Sequence, residues 1–466
     1  MSEITPGFIR FALGMCKFFL GLLLLWCLAH SIKGDNNLRG DDGSKPFTGI
    51  EVVFEGNVKE TASAHVFKED IPRLHSRHDL QRFSRIHKDY VHDIVFVIRP
   101  NNMDKLTRVL HDVSNPSSPN YGQHWTEEEV TKFTSNSEAR DVVVSYLHSH
   151  GALSVSESIN GEYITATAPI IVWETMLNTE FFTFHQTHRN GRVEILVRAE
   201  KYSVPNELDV HVESALNTIQ IPSRLFGSLS KVQPISLLKG PQFHTEGLLY
   251  DGYITPSKIR NYYNMSDSVF GSLASTQAVY FSRNQYYSPV DLQFFQDNLA
   301  PPNLPVTTTT VEKYSNDSMC RLDIQNCLIS SPVLQYIMST SRGSPTTYSY
   351  SDLSLSDWLV TLSNTVNPPL TLTISYASDE STTSSAELLA FTTAAIKLGT
   401  MGVTIVAASG DDGAVGEDVT YYGNSSCKYA PAFPASNPYV VAVGATLVRD
   451  ILRPPCLLCL TTDCTQ

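Results

Sequence analysis

The chain has 466 residues, 42% hydrophobic and 17% charged, which is apolar material for roughly two or three globular domains. Its formal net charge of −13, with no basic run of five or more residues, argues against a nucleic-acid-binding surface. No Walker loop, HExxH pair or GxGxxG turn occurs, so nucleotide, zinc-hydrolase and dinucleotide chemistries lack their usual signatures.

At the amino terminus Arg10 and Lys17 precede an unbroken apolar run, Phe18 to Ala29, and Ala29-His30-Ser31 places small residues at a cleavage site. The pattern predicts a secretory signal over residues 1–31 and no stable membrane span, because the run is too short to cross a bilayer. Phe8 to Ile32 taken whole would instead make a signal anchor. Sequons at Asn264, Asn316 and Asn424 are predicted glycosylation sites and suit a secreted or lysosome-like compartment. Outside the signal, Cys320 and Cys327 could close a small loop in an oxidising compartment. Cys456-Leu-Leu-Cys459 lacks the second CxxC or nearby His pair of a metal site, so no metal is expected there.

From His92 to Arg198 the pattern is one compact α+β unit. His92–Pro100 reads as a strand ended by proline, and Leu106, Val109, Leu110 and Val113 recur at helical spacing over Met103–Val113. Thr126-Glu-Glu-Glu129 is a capping-box start, and Ser137 to His150 a second amphipathic helix. Strands near Leu153–Glu157 and Tyr163–Thr167 follow, then a helix near Ile171–Asn178 and a hairpin turning at Asn190-Gly191. That order predicts a ferredoxin-like split βαβ domain. Tyr202 to Gly227 is polar with weak periodicity and reads as a cleavable linker.

Past Gly247 strands and helices alternate. Strands are expected at Ser275–Phe281, Leu370–Tyr376 and Val403–Ala408, and helices at Ser288–Asn298, Ser356–Ser363 and Ser384–Leu398. Alternation of this kind predicts a parallel sheet with helices on both faces. Val403–Ala408 ends abruptly in Ser409-Gly410-Asp411-Asp412-Gly413, as a buried parallel strand does at the edge where such folds place their chemistry.

Three strings carry a resemblance: SNPSSPNYGQHWTEEEV (Ser114–Val130), PSKIRNYYNM after Gly247, and VTIVAASGDDGAVG with FPASNPYVVAVGAT up to Thr446. They resemble the sedolisin family of serine-carboxyl peptidases, the first string being similar to the activation motif of their propeptides. The resemblance covers about Val91 to Thr446 and implies an incomplete subtilisin-like α/β domain behind a ferredoxin-like propeptide. The expected organisation is signal peptide 1–31, propeptide activation domain 32–201, linker 202–246, partial peptidase domain 247–446 and aberrant tail 447–466.

The resemblance implies catalysis by a Ser whose proton passes to a Glu, with an Asp four residues later on the same helix face to orient it. Met319-Cys-Arg-Leu-Asp-Ile-Gln325 is similar to that segment and puts Asp323 on the orienting position, but Met319 on the base, where no proton can be accepted. A second register, aligned on Leu334-Gln-Tyr-Ile-Met338, puts Ile329 and Val333 there and holds neither acid. Asp411 falls on the position of a protonated oxyanion donor, a role that needs a raised pKa or an acidic medium. Ser375, Tyr376, Asp379 and Glu380 resemble the stretch beside the substrate cleft.

After Thr446 the pattern is lost, and neither the Gly-Thr-Ser segment nor the Asp-rich calcium loop of the resembled family occurs in these residues. No cofactor is therefore expected within this chain. The expected function is an acid-acting serine-type peptidase, tripeptidyl-peptidase or endopeptidase, made as a secreted zymogen, with peptides and its own propeptide as partners. As written the chain is expected to be inactive. The alternative is a non-catalytic, propeptide-bearing binding or inhibitory protein.

Overall fold

The computed structural model describes residues 65–221, 255–299, 330–410, 413–415 and 429–444, apart from short breaks at 73, 75–76, 159, 188–192, 267–269, 282–285 and 351–353. The first half is built from β1 (His65–Asp70), β2 (Leu80–Arg85), β3 (Val91–Ile98), α1 (Met103–Ser114), α2 (Glu127–Thr134), α3 (Ser137–Ser149), β4 (Ser154–Glu157) and β5 (Tyr163–Pro169). It continues with α4 (Ile170–Met176), β6 (Phe181–Thr187), β7 (Val193–Ala199), β8 (Lys201–Pro205), α5 (Asn206–Asp209) and β9 (Val212–Leu216).

Its central sheet is antiparallel in the order β4–β5–β3–β9. Taking β3, β4, β5 and β9 as the four strands of a βαββαβ unit, this is the split βαβ arrangement that the sequence predicts. The closing strand is not the expected one, however. The hairpin β6–β7 pairs with β2 in a separate sheet, and the fourth place is taken by β9, from the segment read as linker. Tyr202, Val204, Leu208, Val212, Ala215 and Ile219 are all buried in this domain's core. The domain therefore extends to at least Ile221, and the expected boundary at residue 201 falls inside it.

Local chemistry explains the helices. Thr126 and Glu129 form a full capping box at the start of α2, each side chain satisfying the other's backbone N–H. The side chain of Asn136 accepts from Ala139 N–H at the start of α3. Trp173, fully buried on α4, packs its ring 6.0 Å from Phe96 and donates its indole N–H to the carbonyl of His92 at 2.8 Å.

The second half holds α6 (Pro256–Tyr262), β10 (Gln277–Phe281), α7 (Pro289–Leu299), α8 (Ser330–Ser341), β11 (Thr346–Tyr350), α9 (Leu355–Ser363), β12 (Thr371–Ile374) and β13 (Ser378–Asp379). After these come α10 (Ser385–Thr400), β14 (Thr404–Ala408), β15 (Ala432–Phe433) and β16 (Val441–Val443). Five strands form one parallel sheet in the order β11–β10–β12–β14–β16. Ala278, Leu372, Ile374, Ile405 and Ala407 of the inner strands share one core with Phe391, Ala394 and Leu398 of α10. The strand β11 had no clear sequence signal: Thr346–Tyr350 is a polar run, ordered by its ladder with β10.

The two halves meet along α10. On β3, Ile94, Phe96 and Ile98 face the core of the first half, whereas Val95 and Val97 point the other way and cluster with Leu216 and Ala386. Leu106, Leu110 and Val130 pack against Ile396 near the other end of the helix. Gly402 ends it with φ +88°, and a Cβ there would lie 2.7 Å from the ring of His124.

His92 gives the first domain an acid-sensitive core. Its Nε2 lies 2.9 Å from the carbonyl of Asn217, and burial, with Arg198 nearby, pushes its pKa down to about 4. A depressed histidine stabilises the fold while neutral, so its contribution is complete above about pH 6.5 and is lost as pH falls toward 4. Between pH 7.5 and 4.5 the wild type should lose about 2–3 kcal/mol more than His92→Gln. Hydrogen exchange of β3 at both pH values measures this. Equal losses would show that the imidazole is not the titrating group.

Candidate active site

The carboxyl edge of the parallel sheet gathers the ends of β12 and β14. Their register pairs Ile374 with Ala407, so Ser375 and Tyr376 leave the sheet beside Ala408 and Ser409. Ser409 N–H donates to the carbonyl of Val443 at 3.0 Å, which continues the ladder one step past the strand. The chain then turns at Gly410, whose φ of +93° is the left-handed region that a residue with a Cβ resists. Asp411 itself lies outside the described residues, as do Asp323, Met319, Ile329, Asn316 and Asn424.

The other expected residues can be placed. Ser375 is buried, and its hydroxyl has no hydrogen-bond partner among the described residues. Tyr376 is buried too, with its ring perpendicular to Tyr280 at 5.4 Å and to Phe281 at 6.4 Å. Its side chain is thus part of the sheet's core. Asp379 pairs with Ala432 across the two-stranded β13–β15 ladder, and its carbonyl accepts the Thr382 hydroxyl at 2.8 Å. Glu380 starts the short 3-10 turn Glu380–Thr382, its N–H donating to Pro431 at 2.9 Å. Ser375, Tyr376 and Asp379 are buried, and Glu380 opens the turn that follows β13. Asn264, the one sequon residue described, is exposed just past α6.

Val333, one candidate for a carboxylate position in the second register, lies on α8 and is fully buried in the apolar core with Leu334, Ile337 and Met338. No polar role is open to it. Among the described residues no group of three or more His, Cys, Asp or Glu could hold a metal ion.

Sequence reading missed how the first half reaches this edge. The Arg77 guanidinium clamps Asp79 through two nitrogens, at 3.1 and 2.7 Å, and donates to the carbonyl of Thr382 at 3.4 Å. Glu69 accepts the N–H of Ala386 at 3.1 Å, in the first turn of α10. Farther along, Glu162 and Lys397 form a buried ion pair, and Asn160 donates to Asn364 at 3.0 Å. Nothing in the local pattern distinguishes Glu69 or Arg77 from ordinary surface charges; their partners are about 300 residues away.

Residues 79–221 match the family model described as pro-kumamolisin, activation domain. Physarolisin of Physarum polycephalum is 28% identical over 77% of this chain and 60% of its own length. Human tripeptidyl-peptidase 1 is 29% identical over 77% of this chain and 62% of its own. The chain thus carries a stretch similar to the pro-kumamolisin activation domain and is similar over most of its length to these two peptidases.

Among solved structures, Pseudomonas sedolisin, a serine-carboxyl proteinase complexed with pseudo-iodotyrostatin, matches 40% of this chain and 52% of that one, at 19% identity and a TM-score of 0.29. The chain spans about 60% of the length of the curated relatives it matches. The propeptide match ends at residue 221, where the described first domain also ends, so strand β9 belongs to the propeptide.

If Tyr376 is a core residue, Tyr376→Ala should cost about 3–5 kcal/mol, as large aromatic truncations do. Glu380→Ala, on the turn, should stay within about 0.5 kcal/mol. Denaturant unfolding of both variants makes the comparison. Similar small losses would place the Tyr376 ring outside the core.

Proposed function

We propose that the chain is the zymogen form of an acid-acting, serine-type peptidase of the tripeptidyl-peptidase or endopeptidase kind, made for a secreted or lysosome-like compartment. Peptides are its substrate class, and its own propeptide is its first partner. The observation that carries this reading is the propeptide domain seated along α10 and against the turn at Glu380–Thr382, at the edge where Ser375 and Ser409 emerge. A domain in that position restricts approach to the edge until it is removed. In this reading Asp411, protonated in an acidic medium, donates a hydrogen bond to the oxyanion, a group typically worth roughly 3–4 kcal/mol in the transition state. Asp379 and Glu380 line the peptide's path, and Asn264 carries a glycan.

We also propose that the 466-residue chain does not itself hydrolyse peptides. Asp323 is the only acid in either register that resembles the carboxylate pair, and Met319 stands at its base position. A thioether cannot take the serine proton, and Val333 of the other register is enclosed by apolar side chains. These residues favour, as the second reading, a propeptide-bearing relative that binds or inhibits rather than cleaves.

The purified chain should release no tripeptide from peptide substrates between about pH 3 and 7, where acid-acting carboxyl chemistry operates. Release that Asp411→Asn abolishes would overturn the second reading and establish the first. An inactive chain that nonetheless captures peptides or a related peptidase would support the second.

A further inference from the structure

Where the propeptide meets the first turn of α10, two carboxyl groups from distant parts of the chain are buried together. Glu69, on β1, is richly supplied with donors. It accepts the N–H of Ala386 at 3.1 Å, the Tyr202 hydroxyl at 3.1 Å, the Gln220 amide at 3.2 Å and a backbone hydrogen bond at Ser385. Glu387 lies one residue beyond that contact and is almost wholly enclosed. Its backbone N–H is taken by the Ser384 hydroxyl and its carbonyl by Ser356. Ser354 hydrogen-bonds its carboxyl, but Oε1 is buried with no partner among the described residues.

Around Glu387, burial and the neighbouring Glu69 charge outweigh the Ser354 hydrogen bond and the Arg198 charge. From β1 it faces the Glu69 carboxylate, and from α9 the Ser354 hydroxyl, with Asp357 on the same helix. From β10 it faces Tyr280, which is itself held neutral by burial and by the nearby acids Glu387 and Asp357. Among the described residues the cation acting on it is Arg198 of β7, whose guanidinium already donates to the carbonyls of Gln220 and Val197. Lys397 is ten residues farther along, about 15 Å by helix rise, and is engaged by Glu162. Beside that pair Glu213 of β9 is also buried, with an unpartnered Oε2. Of two buried carboxyl groups, the one supplied with donors is the better held as an anion, and the one with an unpartnered oxygen takes the proton first.

We propose that the propeptide is held on α10 by a carboxyl–carboxylate junction, in which Glu387 carries a proton while Glu69 stays ionised, so that the contact tightens as the medium acidifies. The inference concerns the seating of the propeptide and holds whether or not the chain hydrolyses peptides. The charges agree in sign. Burial first, and the Glu69 charge second, raise the Glu387 pKa to about 7, and burial also raises those of Glu69 and Glu213. A carboxyl raised in the folded state contributes stability below its folded pKa and loses it as pH rises through that value. The junction is therefore at full strength only below about pH 4.5, the ordinary carboxyl value, and loses that strength as pH rises through about 7. Removal of the propeptide in acid would work against this contact, so cutting would act elsewhere in the chain.

The test uses the full chain. Infrared difference spectra should show a protonated-carboxyl carbonyl band that titrates near pH 7 and disappears in Glu387→Gln. Glu69→Gln should move its midpoint downward. Hydrogen-exchange protection of β1 and of the first turns of α10, corrected for intrinsic exchange, should rise about 30-fold from pH 8 to pH 5.5 in the wild type. In Glu387→Gln it should be high at both pH values. A band that titrates in the ordinary carboxyl range, or persists in Glu387→Gln, would overturn the proposal, as would an unchanged pH slope in that variant. Should Glu387→Gln fail to fold, the wild-type titration and the Glu69→Gln shift still decide the matter.

Discussion

The Glu162–Lys397 pair is the constraint around which the two halves are arranged. Both side chains are almost entirely removed from water, and neither half alone could bury its member without a counter-charge. The Thr134 hydroxyl, 3.2 Å from Glu162, ties the pair to α2, and the Glu162 backbone accepts from Ile98 N–H at the end of β3. Lys397 fixes the same point on α10, whose opposite face is built into the parallel-sheet core through Phe391, Ala394 and Leu398. One interaction thus sets the height of the propeptide sheet on the helix. The apolar contacts of Val95, Val97 and Leu216 with Ala386, and of Leu110 with Ile396, then fill the space on either side.

Seen this way, α10 is a core helix for two domains. Its charged residues are not arranged as a solvent face: Glu387 and Lys397 are both buried, each against groups from the propeptide. The first turn meets Glu69 and, through Ala386, the apolar cluster of Val95, Val97 and Leu216; the last turns meet Glu162 through Lys397, Leu110, and Trp125, whose backbone N–H donates to Thr400 at 3.1 Å. A helix covered on both sides must keep small residues where backbones approach, and Gly399 sits where a Cβ would lie 2.8 Å from Leu110. The position of the propeptide at the sheet edge follows from this seating, and with it the restricted access on which the zymogen reading rests.

Much of this was legible in the sequence because it is local. The capping box at Thr126, the strand and helix periods from His92 onward, and the apolar runs at Leu370 and Val403 each encode their own element, and these elements form nearly as spaced. The closing strand β9 was not legible. Val212–Leu216 reads Val-Glu-Ser-Ala-Leu after a Pro-containing polar stretch, and only its pairing with β3, more than 110 residues earlier, makes it a strand. Tyr376 illustrates a second limit. A strand-end motif locates a residue along the sheet, but whether its ring turns to the cleft or to Tyr280 is set by packing. Glu69 and Glu387 could not be recognised at all, since a buried acid and a surface acid look alike until their partners are known. The site's reacting groups stand differently: the motif around Gly410 was legible, and the turn forms there, while Asp411 and Asp323 fall outside the described residues.

The central claim is that the propeptide and α10 fold as one unit through the Glu162–Lys397 pair, and a double-mutant cycle tests it most directly. Glu162→Gln and Lys397→Met should each cost about 3–5 kcal/mol, because each leaves one buried charge uncompensated. Together they should cost far less than the sum, and exchange protection of β3, β9 and α10 should fall in parallel in each single variant. Additive losses, or a loss of protection confined to one half, would contradict the account.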